Sequence, residues 1–190
     1  DGFGNVCDKT LNLDGSRQLS YVLSGVVDKF DAITLVNNVT LTAPSADDTG
    51  VKVLDLRTPI LEVASGSRID VSGKGLRGNR NRVDQVYAGS WDCGGSHGGK
   101  GGTKDLGSAP GVYGDLRKPV EPGAGGCFTT GTAGAGGGVI HIVVTDRLKL
   151  DGVLAANGQT ASGNAGGGAG GSILVEMPPH PPEPRYIFLA

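Results

Sequence analysis

Glycine decides what this chain can fold into. It accounts for 35 of the 190 residues, well above ordinary usage, and most of it is crowded into a few stretches. No strict Gly-X-Y period runs through these stretches, which excludes a collagen triple helix. The rest of the chain is not disordered in character, because a hydrophobic fraction of 37% is gathered in short, patterned runs. With 5% aromatic residues and a single methionine, a helical core of large side chains is not expected. The length suits one domain with its own core.

Strand signals dominate outside the glycine. Ser20 to Val27 (SYVLSGVV), Ala32 to Thr42 (AITLVNNVTLT), Val51 to Leu56 (VKVLDL), Ile60 to Val63 (ILEV) and Arg68 to Val71 (RIDV) are short and rich in β-branched residues. Gly, Ser, Asn or Pro bounds each one. No window of helical length shows sustained helical spacing.

The chain also repeats. Leu61 to Gly73 reads LEVASGSRIDVSG, and Leu148 to Gly158 reads LKLDGVLAANG. Each is followed by a glycine-rich stretch that ends in a strand, GGGVIHIVV at Gly136 to Val144 and AGGSILVEM at Ala169 to Met177. One such unit has a single apolar row and cannot bury it alone; stacked units bury a continuous column. Turns between short strands need positive φ, which Gly and Asn supply. The expectation is an all-β chain, a parallel β-helix (solenoid) with long Gly-rich insertions, with a β-sandwich carrying Gly-rich loops as the alternative. Residues 1–177 would form one solenoid domain containing the insertion 73–138, and residues 178–190 a Pro-rich linker and an apolar strand. Val139, Ile142, Leu148, Leu150, Ile173 and Val175 are expected to be buried.

The insertion is too long for an ordinary loop. Ordering it requires many backbone hydrogen bonds, in close-packed extended strands or in polyglycine-II-like helices. Cys93 and Cys127 lie inside it, where little else could hold the backbone, and are expected to form a disulfide. Cys7 is then free or bonded to another chain. No pair of Cys or His has zinc-ligand spacing, and neither a metal nor a cofactor is expected.

The ordered set GGSHGGKGG, Tyr113-Gly114-Asp115-Leu116 with Pro119, GAGG, GAGGGVIHIVV, LDGVLAANG and GNAGGGAGGSILVEM resembles a glycine-rich module of large secreted or surface proteins, many of them adhesin-like. The resemblance covers about residues 61 to 177. It implies a β-helical fold and an extracellular or cell-surface location, and it carries no catalytic residues.

The net charge of −2 and pI of about 5.9 argue against a nucleic-acid partner. No apolar run approaches the roughly 20 residues needed to cross a bilayer, so membrane insertion is not expected. A chain beginning at Asp1 fits removal of a signal peptide, or trimming of a longer protein. Asn38-Val39-Thr40 is an N-glycosylation sequon, which makes Asn38 a candidate acceptor.

Trp91-Asp92-Cys93 and His97 with Lys100 form the most enzyme-like cluster, but no nucleophile with an orienting acid accompanies them. They are read as a loop in which Trp91 packs and His97 is hydrogen-bonded or solvated. His141 is read as an outward-facing strand position. Lys74, Arg77, Arg80 and Arg82 are read as a solvated basic loop before an anionic surface site, and Asp47 and Asp48 as a turn before a Ca²⁺ site. Thr40-Leu41-Thr42 is too short a threonine array for ice binding. Asp55, Asp70 and Asp151 fall near strand ends without a second acid beside them, so a polysaccharide lyase or glycosidase is not the leading reading.

The functional expectation is therefore a non-enzymatic extracellular structural or adhesive protein, whose partner is itself or a surface glycan. The alternative is a polysaccharide-binding or polysaccharide-degrading β-helix, with Tyr87, Trp91 and Tyr113 as stacking platforms for sugars. Pro178 to Pro184 reads as an extended spacer. Tyr186, Ile187, Phe188 and Leu189 behind it read as an assembly strand that adds to an edge of the next subunit, or that folds back on its own solenoid.

Overall fold

The computed structural model describes residues 9–47, 50–78, 92–104 and 108–178. Among them there is no helix, and the strands are β1 (Thr10–Asp14), β2 (Ser20–Val22), β3 (Gly25–Val27), β4 (Ala32–Val36), β5 (Thr40–Thr42), β6 (Leu54–Val63), β7 (Arg68–Asp70), β8 (Phe128–Thr132), β9 (Val139–Leu150), β10 (Val153–Ala155), β11 (Ser162–Ala165) and β12 (Ser172–Glu176). The all-β expectation holds. Every pair among these strands is parallel except β8 with β11. One sheet runs in the order β1-β4-β6-β9-β12 with β3 also on β6, and a second in the order β10-β7-β5-β2.

The pairings resolve into three parallel columns. The first holds β3, the first half of β6, the first half of β9, and β12. The second holds β1, β4 and the second halves of β6 and β9. The third is the sheet of β2, β5, β7 and β10. In β6 the change of column coincides with a register shift between Thr58 and Ile60, around Pro59, a residue tolerated at bulges because it lacks the N–H a ladder needs. From β3 onward the chain visits the columns in the order one, two, three, and each circuit adds a layer beside the last.

Because the strands are stacked in register, like residues meet. Leu11, Ile33, Leu61 and Leu148 form one inward row, and Leu13, Leu35, Val63 and Leu150 another. Leu41 lies on Ile69, and Ile69 on Leu154. Leu54 and Leu56 lie on Ile140 and Ile142, which lie on Ile173 and Val175. The middle of each row is fully buried. The two copies of the sequence repeat fall on successive layers, with Leu61 on Leu148 and Arg68 on Val153.

Burial fails at the ends of the rows. Val139 and Ile142 are buried as expected, but Leu148 is only half-buried, and Leu150, Ile173 and Val175 are 42%, 37% and 38% exposed. These residues point inward from the last described strand of their columns, so no further described strand covers them. Two strand readings also change. Ser20 to Val27 divides into β2 and β3, in different columns, and Val51 to Val63 contributes a single strand, β6. The strand β1, with Leu11 and Leu13 alternating, was not anticipated.

Turns between columns two and three are tight. Asn37 and Asn38 both take left-handed φ, 58° and 60°, and Gly66 takes 81° in the next layer. Only Gly and Asn adopt such angles at little cost. The excursions leave at a different corner, between column three and column one. The connections from β5 to β6, from β7 to β9 and from β10 to β12 all join these two columns.

Leu56 is fully buried in the middle of its row. Leu56→Ala is expected to cost about 2–5 kcal/mol, read as a lower urea midpoint with the parallel-sheet circular dichroism retained before the transition.

Candidate functional site

Both long glycine-rich excursions depart from one corner of successive layers, so they lie together. Segment 133–138 donates to Gly166 (Gly134 N–H), Leu76 (Gly136 N–H), Ala169 (Gly137 N–H) and Val71 (Gly138 N–H), and accepts from Gly75, Gly123, Gly126 and Gln159. A strand in a flat sheet has two neighbours; this segment has four. Three-residue-per-turn extended helices point their N–H groups in three directions, and bonding to four neighbouring segments fits such a polyglycine-II arrangement better than a flat sheet. Side chains are excluded by contact. A Cβ on Gly136 would meet the carbonyl oxygen of Gly123, and one on Gly166 that of Cys93.

Cys93 and Cys127 form the expected disulfide, 34 residues apart in sequence. Both are buried beside Ala109, in a small core of their own. Around them Cys127 N–H donates to Cys93 O at 2.7 Å, and Gly166 N–H to Cys127 O at 2.8 Å. The covalent link and the backbone array therefore hold the same strands of chain. Disulfides form and persist in oxidising compartments.

Beyond the disulfide, described residues 96–104 and 108–122 belong to the connection between Gly95 and Gly123 of the array, termed the tip. Ser96, fully buried, donates to Pro110 O at 2.7 Å and accepts from Gly101 N–H at 3.0 Å. His97 Nδ1 lies 2.9 Å from Gly170 O; a carbonyl only accepts, so Nδ1 carries the hydrogen and the neutral ring's Nε2 is left an acceptor. The His97 and Tyr113 rings are tilted with centroids 5.1 Å apart, and Gly98 N–H donates to Tyr113 O. They line an open cleft of about 420 Å³ with Val112, Asp115, Leu116 and Pro119. Leu116 is 97% exposed and Val112 57%. The Asp115 carboxylate is turned to its own backbone, accepting from Arg117 and Lys118 N–H.

A second polar group crosses the outer face of column one. His141 does face outward, but it is not simply solvated: Nδ1 is 3.2 Å from Asp55 and Nε2 is 2.7 Å from Glu176. Arg57 binds both oxygens of Asp55, at 3.0 and 2.8 Å. Asp55, read from sequence as having no second acid beside it, thus shares one imidazole with Glu176. With both ring nitrogens engaged, the cluster works as a clasp across β6, β9 and β12. Sequence separation hid it; the outward parity of Asp55 and His141 in a parallel stack was the available signal. The Arg57 guanidinium holds the Asp55 carboxyl below its usual range, against a smaller opposing effect of burial.

The other anticipated residues have local roles. Lys74 Nζ reaches Ser45 Oγ at 3.2 Å and Arg77 Nε donates to Ala46 O at 2.7 Å, so these cations pin the corner at residues 45–46. Asp47 closes a turn with Gly50 and pairs with Lys52 at 3.4 Å. Asn38 is exposed at its turn. Among the described residues no group of three His, Cys, Asp or Glu could hold a metal, and no helix is long and apolar enough to cross a membrane. Cys7, Asp48, Arg80, Arg82, Tyr87, Trp91 and Tyr186 to Leu189 lie outside the described residues. Compared with known proteins, the chain matches no family model, no curated protein and no solved structure.

Two measurements follow from this geometry. Replacing Cys93 and Cys127 together by Ser is expected to lower stability by about 3–4 kcal/mol and to open the glycine-rich segments to protease. Asp55, with its folded pKa depressed, contributes stability that is complete above the unfolded value of about 3.9 and lost as pH falls through the folded value. Asp55→Asn should therefore narrow its stability gap to wild type as denaturation is moved from pH 6 down through that range.

Proposed function

We propose that this protein is an extracellular structural and adhesive element, a β-solenoid that carries a rigid glycine-rich head. The three parallel columns support the solenoid reading over a β-sandwich, because sandwiches of the immunoglobulin kind are built of antiparallel sheets. The observation that carries the function is the head itself. A glycine-rich chain left in water stays mobile, since ordering it costs more conformational entropy than ordering any other residue type. Here it is fixed from several sides by backbone hydrogen bonds and clamped by Cys93–Cys127. That arrangement suits a part that must present a shape under load or exposure. The disulfide supports a location outside the reducing cytosol.

A second reading, a carbohydrate-binding module, is favoured by the cleft at the tip. Tyr113 and His97 supply ring faces, Val112 and Leu116 apolar walls, and His97 Nε2 an acceptor for a hydroxyl. Of the sugar platforms expected from sequence, Tyr113 is the one within the described residues.

Both readings are tested by retention of the oxidised protein on extracellular matrix material and on an array of neutral and acidic glycans. Retention that falls on reduction supports the adhesive head. Tyr113→Ala should weaken glycan retention roughly tenfold or more, as loss of an aromatic hot spot does. Binding to no matrix and no glycan, before or after reduction, would count against both.

A further inference from the structure

The described layers are incomplete at both ends, in complementary ways. The first layer has strands in columns two and three, β1 and β2; in column one the outermost described strand is β3 of the next layer. The last layer has a strand in column one, β12; columns two and three end at residues 147–150 of β9 and at β10. All of these strands run parallel. We propose that a second copy of this chain seats its β1 and β2 on the edges of β9 and β10 that no described strand covers, while β12 of the first copy lies against β3 of the second. Together the two partial layers make one complete three-column layer. The inference deepens the structural half of the proposed function and rests on it.

The existing ladders give the register across the joint. Thr10, Ala32, Ile60 and Arg147 are one row, as are Asn12, Thr34, Glu62 and Lys149. Repeating those rows brings Leu148 and Leu150 of one copy onto Leu11 and Leu13 of the next. In column three Leu154 meets Tyr21 and Ala155 meets Val22; in column one Leu174 meets Val26 and Val175 meets Val27. Leu150 and Val175, 42% and 38% exposed in the single chain, face inward and are covered by the joint, while Val22 and Val26, on outward-facing rows, gain a neighbouring side chain. Their strand edges gain ladder hydrogen bonds at the same time, the usual fate of an unprotected edge.

The chain's own continuation is a poor occupant of the same edge. Its sequence there, Pro178 to Pro184, is proline-rich, and prolines bring no N–H to a ladder. This assembly surface differs from an added strand of residues 186–189.

The test uses the full chain with Cys7→Ser, Asn12→Cys and Lys149→Cys. Within one chain these two positions are three layers apart, about 14 Å at 4.8 Å per strand, too far for an internal disulfide. Between stacked copies they are direct neighbours. Mild oxidation at high concentration is expected to give a ladder of covalent multimers on a non-reducing gel. Asn12→Cys with Arg147→Cys, two residues out of register, should give at least fivefold less. Light scattering on the unmodified chain, which needs no variant, should show mass rising with concentration. A monomer throughout with no ladder overturns the proposal, as does equal cross-linking by the out-of-register pair. A full-length monomer that assembles only after removal of residues 179–190 also overturns it, since the tail would then occupy the edge. None of these outcomes bears on glycan or matrix retention by the monomer, so failure here is separable from failure of the adhesive reading.

Discussion

Parallel backbone hydrogen bonding in register is the constraint on which the rest of this molecule depends. A parallel ladder holds each residue beside its equivalent in the layer before. An inward Leu therefore stays inward from β1 through β4 and β6 to β9, and the core becomes a set of continuous rows. The same constraint limits variation. An insertion inside a column would shift the register and turn the apolar face outward. Extra chain is admissible only at a corner, and here it all leaves between columns three and one. The excursion 71–138 separates Asp70 from Val139, yet β9 lies on β6 as its neighbour in the stack.

Placing two glycine-rich excursions at one corner of consecutive layers changes what glycine does. Isolated, either stretch would expose unpaired amides and lose a great deal of entropy on ordering. Side by side, each supplies the other's hydrogen-bond partners, and the absence of a Cβ permits backbones to approach until carbonyl oxygens lie where side chains would be. Among the described residues, the buried apolar cluster of this array is the disulfide with Ala109. The covalent link compensates for what burial cannot provide in a segment of this composition. The tip is fastened back to the array through His97 and Gly170, which gives the His97–Tyr113 cleft a firm base.

The ends of the stack and the head differ in how their backbone groups are satisfied. The head is held together through backbone hydrogen bonds, and among its described residues the exposed large apolar side chains are Val112, Leu116 and Val120. The ends of the columns carry strand edges that no described strand covers and partly exposed rows. The clasp of Asp55, His141 and Glu176 secures β12 to its column by side chains as well as backbone, where it stands as an outer strand with one described neighbour.

Much of this was written in the sequence, because it depends on short-range chemistry. β-branched runs between Gly, Ser and Asn define strands; LEVASGSRIDVSG and LKLDGVLAANG define a repeat that the structure stacks residue on residue; two cysteines in a glycine-rich stretch define a clamp. What the sequence could not settle was which residues end the stack. Leu150, Ile173 and Val175 have the same local pattern as buried Val63, Ile140 and Ile142, and only the absence of a described strand beyond them leaves them exposed. Nor could it pair Asp55 with His141 and Glu176, which lie 86 and 121 residues away along the chain and meet because the excursion between them closes on itself. Local pattern determined strands, turns and repeat; the stacking of layers, a property of the whole chain, decided burial, the clasp and the cleft.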